Sequence, residues 1–274
     1  MSAVLEQYLR EHTAGGVALA FSGGVDSTLL LHALLRQQKH AFFPLAAYYF
    51  HTPLHTEEET QAAIRTAKEA GAELVEMRFN PLELPVLRFN PKERCYHCKG
   101  RLFSQMKEDA DARGLRVIMD GTHADDHKQY RPGLRALREL GVLSPLAAAG
   151  MSKAEVRALA AAWGLPCSQK PSAPCLATRF DYGAELTAEA VRRVEAGEAV
   201  LHRLYPNRSL RLRVHGDLAR LELPTELLPQ AAVDADGLVR ELRALGFRHI
   251  TLDLQGFRSG SMDEPLPTTT SDHA

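Results

Sequence analysis

The segment Val17-Ala-Leu-Ala-Phe-Ser-Gly-Gly-Val-Asp-Ser27 carries the strongest structural signal in the chain. Its first five residues form a short apolar run typical of a buried strand, and the leucine-rich stretch from Thr28 to Gln37 predicts a helix. Between them, Ser22 to Ser27 includes two glycines, which let backbone amides come close to an anion. The N-terminus of the following helix adds unpaired N–H groups. A strand, a glycine-rich loop and a helix in this order predict a pyrophosphate-binding loop.

The polar groups of this loop suit a nucleotide bound with a metal ion. Ser22 and Ser27 offer hydroxyl donors, and Gly23 and Gly24 offer backbone amides. Asp26 offers a carboxylate that can hold the Mg²⁺ bridging two phosphates. The loop lacks the lysine of a Walker motif, so it is a different kind of phosphate loop. An ordinary tight turn capped by serine and aspartate is the alternative interpretation.

The first half of the chain alternates between strand-like and helix-like patterns. Alternating β and α units predict an α/β fold, a doubly wound parallel sheet with helices on both faces. Ligands of such sheets bind beyond the carboxyl ends of the strands, so the loops that start at Ser22, His51 and Asp120 should share one crevice. The other predicted strands are Phe43–Phe50, Glu73–Met77 and Val117–Met119, and the other predicted helices are Thr56–Ala70, Lys99–Arg113 and Ser152–Trp163.

The pattern changes near Leu186 and predicts a second, smaller α+β domain. A proline-rich, irregular segment from Cys167 to Arg179 precedes it. We expect a nucleotide-binding domain over residues 1–184, a small domain over 185–262 and a disordered tail over 263–274. The elements predicted for the small domain are helices Thr187–Leu204 and Leu238–Leu245, strands Leu210–Val214, Ala219–Leu223 and His249–Leu254, and a hairpin turn at Gly216-Asp217.

The composition is that of an ordinary globular protein. The chain has 274 residues, of which 45% are hydrophobic and 24% charged, and its net charge is −1. This balance predicts no whole-protein attraction to nucleic acid or acidic membranes. No apolar run approaches the roughly 20 residues that span a bilayer, and Met1 to Arg10 lacks the apolar core of a signal peptide. We therefore expect a cytosolic protein, in which disulfides are rare.

Two further groups of charged residues follow the fourth predicted strand. In Asp120-Gly-Thr-His-Ala-Asp-Asp126, carboxylates such as Asp125 lie at the predicted crevice, where they can bind Mg²⁺ or order the loop. Arg131 is a candidate clamp for an anion, because a guanidinium can bind phosphate or carboxylate with two hydrogen bonds. A solvated turn and a surface arginine are the alternative interpretations.

The cysteines form a pattern that suits metal binding. Arg94-Cys-Tyr-His-Cys-Lys99 contains a C-x-x-C at a helix start, and Cys175 lies in the proline-bounded loop before Arg179. A C-x-x-C by itself indicates zinc, an iron–sulfur cluster or a redox pair. Three cysteines with one open position suit a cluster that keeps a free iron. Cys167 could be a fourth ligand, but a buried structural thiol is the favoured interpretation.

The loop resembles the SGGxDS signature of the N-type ATP pyrophosphatases, or PP-loop superfamily. The longer match is to the LarE family, whose motifs occur here in the same order from about residue 15 to 262. They include Asp-Gly-Thr-His-Ala-Asp-Asp, Tyr-Arg-Pro-Gly-Leu-Arg-Ala, Pro-Cys-Leu-Ala-Thr-Arg-Phe and Leu-Arg-Val-His-Gly-Asp-Leu-Ala-Arg-Leu-Glu-Leu-Pro. The C-terminal motifs are the most specific, since general pyrophosphatases lack them.

This resemblance implies an ATP-dependent sulfur transferase. LarE proteins adenylate the carboxylates of pyridinium biscarboxylate mononucleotide, a small-molecule nucleotide, and convert them to thiocarboxylates for the nickel-pincer nucleotide cofactor. In one group a cysteine at the position of Cys175 gives up its own sulfur. A second group also has cysteines at the positions of Cys95 and Cys98, and the three bind a [4Fe-4S] cluster whose free iron carries the sulfide. The resemblance implies the cluster type here, with an unknown sulfide source and with a sacrificial Cys175 as the alternative.

The resemblance also implies roles for basic and acidic residues of both domains. Lys99, Arg179, Arg211 and Arg213 are implied as contacts for ATP or substrate phosphate, and Glu198 as a metal ligand. Arg211 and Arg213 would lie on one face of a strand. A homo-oligomer is implied as well. The rival hypotheses are a tRNA-thiolating PP-loop enzyme, which should show a basic RNA-binding surface, and a nucleotide-binding regulatory module without catalysis.

Overall fold

The computed structural model describes residues 2–128, 131–171, 173–258 and 260–263. The chain forms two compact units, Met1–Pro174 and Cys175–Ala274. The division falls before the domain boundary predicted at residue 184. Of the tail predicted to be disordered, residues 264–274 lie outside the described ranges.

The first unit is built on a parallel sheet with the strand order β3-β2-β1-β4. All four strands were predicted from the sequence, with ends that differ by two residues or fewer. They are β1 (Val17–Ala20), β2 (Leu45–His51), β3 (Glu73–Arg78) and β4 (Val117–Met119). The α/β prediction is therefore confirmed.

Seven α-helices of the described residues accompany this sheet. Four were predicted, although α4 begins at Arg94 rather than Lys99, and α1, α5 and α6 were not. Capping boxes start α3 at Thr56 and α7 at Ser152. The helices are α1 (Ala3–His12), α2 (Val25–Gln38), α3 (Glu57–Glu69), α4 (Arg94–Ala112), α5 (Gly133–Glu139), α6 (Pro145–Ala148) and α7 (Lys153–Ala162).

Helices cover both faces of the sheet, as the doubly wound prediction requires. Successive residues of β1 belong to different hydrophobic clusters, because side chains alternate across a strand. Leu19 packs with α1, α2 and α7 residues such as Leu30, and Ala18 packs with α4 residues such as Met106. Burial of this apolar surface on both faces is the main stabilising contribution to the unit.

The loops after β1 and β4 lie against each other at the carboxyl end of the sheet. A Cβ atom added to Gly121 would lie 2.9 Å from the backbone nitrogen of Ser27 and 3.1 Å from the carbonyl carbon of Asp26. Only glycine allows this approach. Because β1 and β4 are neighbours at the switch point of the strand order, the loops border the crevice where such sheets bind ligands.

The second unit combines a three-stranded sheet with helices. Its sheet has the order β5-β6-β7, with β5 antiparallel and β7 parallel to β6. The predicted turn at Gly216-Asp217 joins β5 to β6, and Gly216 has the positive φ of 60° that this turn needs. The elements are β5 (Arg211–His215), β6 (Leu218–Glu222), β7 (His249–Leu252), α8 (Ala188–Leu204), α9 (Leu228–Val233) and α10 (Ala235–Ala244).

The segment predicted to be irregular, Cys167–Arg179, contains two short 3₁₀-helices. Pro166–Gln169 belongs to the first unit and Leu176–Arg179 to the second. Proline at the start of the first helix sets φ and removes a donor that would lack a partner. Across the described ranges, no helix is long and apolar enough to cross a membrane.

Replacing Gly23 by alanine should destabilise the first unit by about 1–3 kcal/mol. Gly23 has a φ of 69°, and an added Cβ would lie 2.7 Å from Cβ and 2.8 Å from Cα of Ala63 on α3. The control Gly24→Ala, at a φ of −77°, should cost less than about 1 kcal/mol. Urea unfolding of both variants tests this, and equal losses would contradict the strained geometry at Gly23.

Candidate active site

The loop Ser22–Ser27 is organised by hydrogen bonds between its two serines. The backbone N–H of Ser22 donates to Oγ of Ser27 at 3.2 Å, and that hydroxyl donates to the carbonyl of Gly24 at 3.2 Å. Within the described part of the chain, no side chain caps α2, which begins directly after Gly24. The first backbone N–H groups of α2 are therefore available to bind an anion.

Asp26 lies in the first turn of α2 and faces a cation. Nζ of Lys153 lies 2.8 Å from Oδ1 and 2.6 Å from Oδ2 of this carboxylate. Sequence reasoning predicted Asp26 as a metal ligand but missed Lys153. No local signal could have found it, since 127 positions separate the two residues. The carboxylate predicted to hold Mg²⁺ is thus paired with an ammonium in this structure, and its metal role stays a prediction.

The carboxylates after β4 organise their own loop. Asp120 is buried and accepts hydrogen bonds from the backbone N–H of Thr122 at 3.2 Å, the hydroxyl of Thr122 at 2.5 Å and the hydroxyl of Ser144 at 2.6 Å. Asp125 accepts from the backbone N–H of Lys153 at 2.8 Å and from Nζ of Lys128 at 3.0 Å. The backbone hydrogen bond from Lys153, followed by that from Lys128, lowers the pKa of Asp125. The structure therefore gives Asp125 a role in joining this loop to α7.

Arg131, predicted as an anion clamp, is paired with a carboxylate. Its Nη1 lies 3.0 Å from Oδ1 of the buried Asp126, whose other oxygen accepts from the backbone N–H of His123 at 3.1 Å. About half of the Arg131 side chain remains exposed. The guanidinium is therefore paired with Asp126 and also accessible to solvent. Tyr130, in the same predicted motif, lies outside the described residues.

The C-x-x-C lies in the first turns of α4, and α5 packs against it. The thiols of Cys95 and Cys98 are both half-buried. A Cβ added to Gly133 would lie 3.3 Å from the carbonyl oxygen of Cys95 and 2.8 Å from Cδ of Lys99, so α5 approaches closely. The Arg135 guanidinium lies 3.7 Å from the ring centroid of Tyr96, the residue after Cys95. The start of α4, which carries both thiols and Lys99, is therefore packed closely against α5.

Cys167 packs in the hydrophobic core of the first unit. It is buried beside α2, and burial raises the pKa of its thiol. A buried thiol with a raised pKa is a poor nucleophile. This supports the interpretation of Cys167 as a structural residue.

Cys175 opens the second unit at the start of a short 3₁₀-helix. Its carbonyl accepts hydrogen bonds from the backbone N–H of Thr178 at 3.0 Å and from the hydroxyl of Thr178 at 2.9 Å. A guanidinium nitrogen of Arg179 lies 3.4 Å from the same oxygen. The backbone of Cys175 is thus fixed by its own turn, and its thiol is half-buried.

Arg179 and Glu198 form a buried ion pair. Nε and Nη2 of Arg179 donate to the two carboxylate oxygens, each at 2.9 Å, and both side chains are more than nine-tenths buried. Glu198 also accepts from the backbone N–H of Leu212 at 3.1 Å. Sequence reasoning predicted one as a phosphate contact and the other as a metal ligand, and missed that they pair with each other.

Arg211 and Arg213 lie close to this pair. Arg213 is buried, donates to the carbonyl of Thr178 at 2.7 Å and is paired with Glu222 at 3.0 Å. Burial, together with the neighbouring Arg179 guanidinium, lowers the pKa of Arg211 to about 10. The carboxylates of Glu198 and Glu222 partly offset the repulsion between these cations. The predicted phosphate contacts of the three arginines stay a prediction.

Glu198→Gln should destabilise the protein by about 3 kcal/mol in buffer containing EDTA, because it leaves the Arg179 cation buried without its carboxylate. The exposed Glu189 on the same helix provides the control, and Glu189→Gln should cost less than about 1 kcal/mol. Thermal or urea unfolding measures both. If the Glu198 variant is as stable as the wild type in EDTA, the ion pair with Arg179 does not stabilise the fold. The carboxylate would then be needed only to bind a ligand.

The described residues contain no group of three or more His, Cys, Asp and Glu side chains arranged to hold a metal ion. The predicted cluster ligands Cys95 and Cys98 belong to the first unit and Cys175 to the second. The cluster remains a prediction based on the resemblance and on the chemistry of the thiols.

The fold and the Ser22–Ser27 loop define a PP-loop protein, and the family model described as a PP-loop domain matches residues 1–128. An uncharacterized protein of Synechocystis is 38% identical over 253 residues, covering 90% of this chain and 92% of the relative. The pyridinium-3,5-bisthiocarboxylic acid mononucleotide synthase of Lactiplantibacillus plantarum is 37% identical over 251 residues, covering 91% and 90%. The chain belongs to the LarE family of PP-loop proteins, which includes this synthase. A Methanocaldococcus jannaschii protein of unassigned function is 29% identical over 243 residues, covering 89% and 91%.

Proposed function

We propose that this protein uses ATP to adenylate the carboxylates of pyridinium-3,5-biscarboxylic acid mononucleotide and converts them to thiocarboxylates. The observation that carries this proposal is the PP-loop, with Asp26 facing a cation beside the uncapped start of α2. The substrate follows from 37% identity over 91% of the chain to a synthase whose name states the corresponding product.

The adenylation step needs groups that the first unit supplies. A substrate carboxylate oxygen attacks the α-phosphorus of ATP, the bond to the β-phosphate oxygen breaks, and pyrophosphate leaves. The amides at the start of α2 and the hydroxyls of Ser22 and Ser27 bind the pyrophosphate, whose charge increases as it leaves. Asp26 holds the Mg²⁺, which neutralises charge on the phosphates when bound. The product is an acyl adenylate.

The second step replaces AMP by sulfur. A hydrosulfide sulfur forms a bond to the carbonyl carbon, the bond to the AMP oxygen breaks, and the hydrosulfide proton passes to solvent. AMP leaves with one oxygen of the original carboxylate. A phosphate of the mononucleotide suits the arginines of the second unit, Arg179, Arg211 and Arg213, and Lys99 adds a cation in the first unit.

Cys95, Cys98 and Cys175 are the ligands of a [4Fe-4S] cluster in this proposal. Cys95 and Cys98 are three positions apart on α4, which places both thiols on one helix face. Both are half-buried, as is Cys175. Three thiolates leave one iron of such a cluster open, and that iron supplies a site for the transferred sulfide. The alternative is that Cys175 donates its own sulfur, with cleavage of its Cβ–S bond.

The setting of the reaction is also part of the proposal. A C-x-x-C that binds a cluster rather than forming a disulfide fits the cytosol, where disulfides are rare. The edge strand β7 and Leu254, which is 85% exposed, offer a surface for a second copy of the chain in a homo-oligomer. A small donor of sulfide is required for repeated turnover.

The experiment incubates the anaerobically reconstituted protein with the mononucleotide, Mg·ATP and sulfide. AMP and pyrophosphate should form, and mass spectrometry should show exchange of oxygen for sulfur in the substrate. Unmodified tRNA in place of the mononucleotide should give neither product. Thiolation of tRNA alone would instead favour the tRNA-modifying class of PP-loop enzyme.

A further inference from the structure

The ion pair between Lys153 and Asp26 joins the PP-loop to a helix that is distant in sequence. The ammonium contacts both oxygens of the carboxylate, at 2.6 and 2.8 Å. The two side chains are 28% and 25% exposed. Their contact is therefore partly screened by water and is accessible to solvent or a ligand.

The backbone of Lys153 is fixed while its side chain is long. Ser152 caps α7 immediately before it, and the backbone N–H of Lys153 donates to Asp125 at 2.8 Å. α7 also packs against α2, the helix that carries Asp26. From this anchored position a four-carbon side chain can move its ammonium by several ångströms without a change of the backbone.

Asp26 cannot keep the ammonium in this position and also hold Mg²⁺ with both oxygens. Separating the two charges without new partners would be costly at a partly buried site. The start of α2, where phosphates are expected, begins one residue before Asp26. An ammonium displaced from Asp26 would therefore have phosphate oxygens within reach.

We propose that Lys153 is a pyrophosphate-binding residue that exchanges partners when ATP binds. Without nucleotide, its ammonium neutralises Asp26 and keeps this carboxylate from repelling the phosphates. With Mg·ATP, Asp26 exchanges the ammonium for Mg²⁺, and the ammonium binds the β- or γ-phosphate oxygens. Asp125 is a positioning residue for Lys153. This inference rests on the proposed use of ATP.

The test measures binding of α,β-methylene-ATP, which cannot be cleaved between the α- and β-phosphates, by calorimetry with Mg²⁺ and with EDTA. Lys153→Met should weaken binding about 10-fold or more with Mg²⁺, the loss expected for a hydrogen bond between charged groups. With EDTA it should also weaken binding, because the Asp26 carboxylate is then left without a cation and repels the phosphates. Lys153→Arg should retain part of the affinity. The matched control is Lys128→Met, which removes a 76% exposed lysine paired with Asp125 and should bind like the wild type.

Two results would overturn the inference. If Lys153→Met binds the analogue as tightly as the wild type or more tightly, the lysine only occupies Asp26. If adenosine, which has no phosphates, loses affinity by the same factor, the variant has changed the site in general. If the wild-type protein does not bind the analogue at all, the proposed use of ATP is contradicted. That result differs from the two above, in which the wild type binds the analogue.

Discussion

Asp26→Ala should abolish formation of AMP and pyrophosphate, with a loss of turnover of about 100-fold or more. The reason is that Asp26 is the carboxylate that meets a cation at the start of α2, where Lys153 contacts both of its oxygens. Without it, the Mg²⁺ that neutralises the leaving pyrophosphate loses its anchor. Pyrophosphate release and AMP, measured together at saturating Mg·ATP and substrate, report the effect.

Two further variants separate charge from shape at this position. Asp26→Asn keeps the volume and one oxygen but removes the charge, so it should fail nearly as severely as alanine. Asp111→Asn removes an exposed carboxylate from α4 and should react like the wild type. Unfolding temperatures show whether the Asp26 variants are folded. Unchanged pyrophosphate release from a folded Asp26→Asn protein would remove Asp26 from the chemistry.

The parts of the fold that the sequence predicts are those with a strong local pattern. β1, the loop after it and α2 follow one another as an apolar run, two glycines and a leucine-rich stretch. The sequence placed the C-x-x-C at a helix start but put the helix bound at Lys99 rather than Arg94, because Glu93 is not one of the residue types that mark an N-cap. α5 has only seven residues and follows a proline, so its periodicity is too short to indicate a helix.

The candidate site shows the same limit at the level of single residues. The loop Ser22–Ser27 could be predicted because all the residues of its motif are neighbours in the chain. The partner of Asp26 depends on how α7 packs, and no motif contains both Asp26 and Lys153. Arg179 and Glu198 were each predicted as ligand-binding residues, but only the packing of the second unit shows that they neutralise each other.

The charged residues of both units share one physical property. In the first unit Asp26 is paired with Lys153 and Asp126 with Arg131, and in the second Glu198 is paired with Arg179. A buried or partly buried charge without a partner is costly. Each of these pairs therefore avoids the cost of an uncompensated charge within its own unit.

Cys175→Ala should leave adenylation nearly intact and reduce thiocarboxylate formation to background. Its thiol is a cluster ligand in the proposed mechanism and the sulfur donor in the alternative. Neither mechanism uses this thiol to cleave ATP. AMP formation, followed over the first turnover together with the mass of the substrate, separates the two steps. Cys167→Ala provides the control, because Cys167 is buried in the core of the first unit, where its thiol is a poor nucleophile. Full thiolation by Cys175→Ala would remove this residue from the chemistry.

Cys95→Ala then distinguishes a cluster from a sacrificial cysteine. If three cysteines hold a [4Fe-4S] cluster, the reconstituted wild type should contain about four irons per chain, and loss of one of only three thiolate ligands should remove most of them. The same variant should lose repeated turnover but still bind ATP, because the PP-loop contains no cysteine. If the wild type holds no iron and Cys95→Ala thiolates one substrate group per chain, the sulfur must come from Cys175 itself. That cysteine would then lose its sulfur and appear as dehydroalanine in the peptide mass, a signature that a cluster mechanism does not produce.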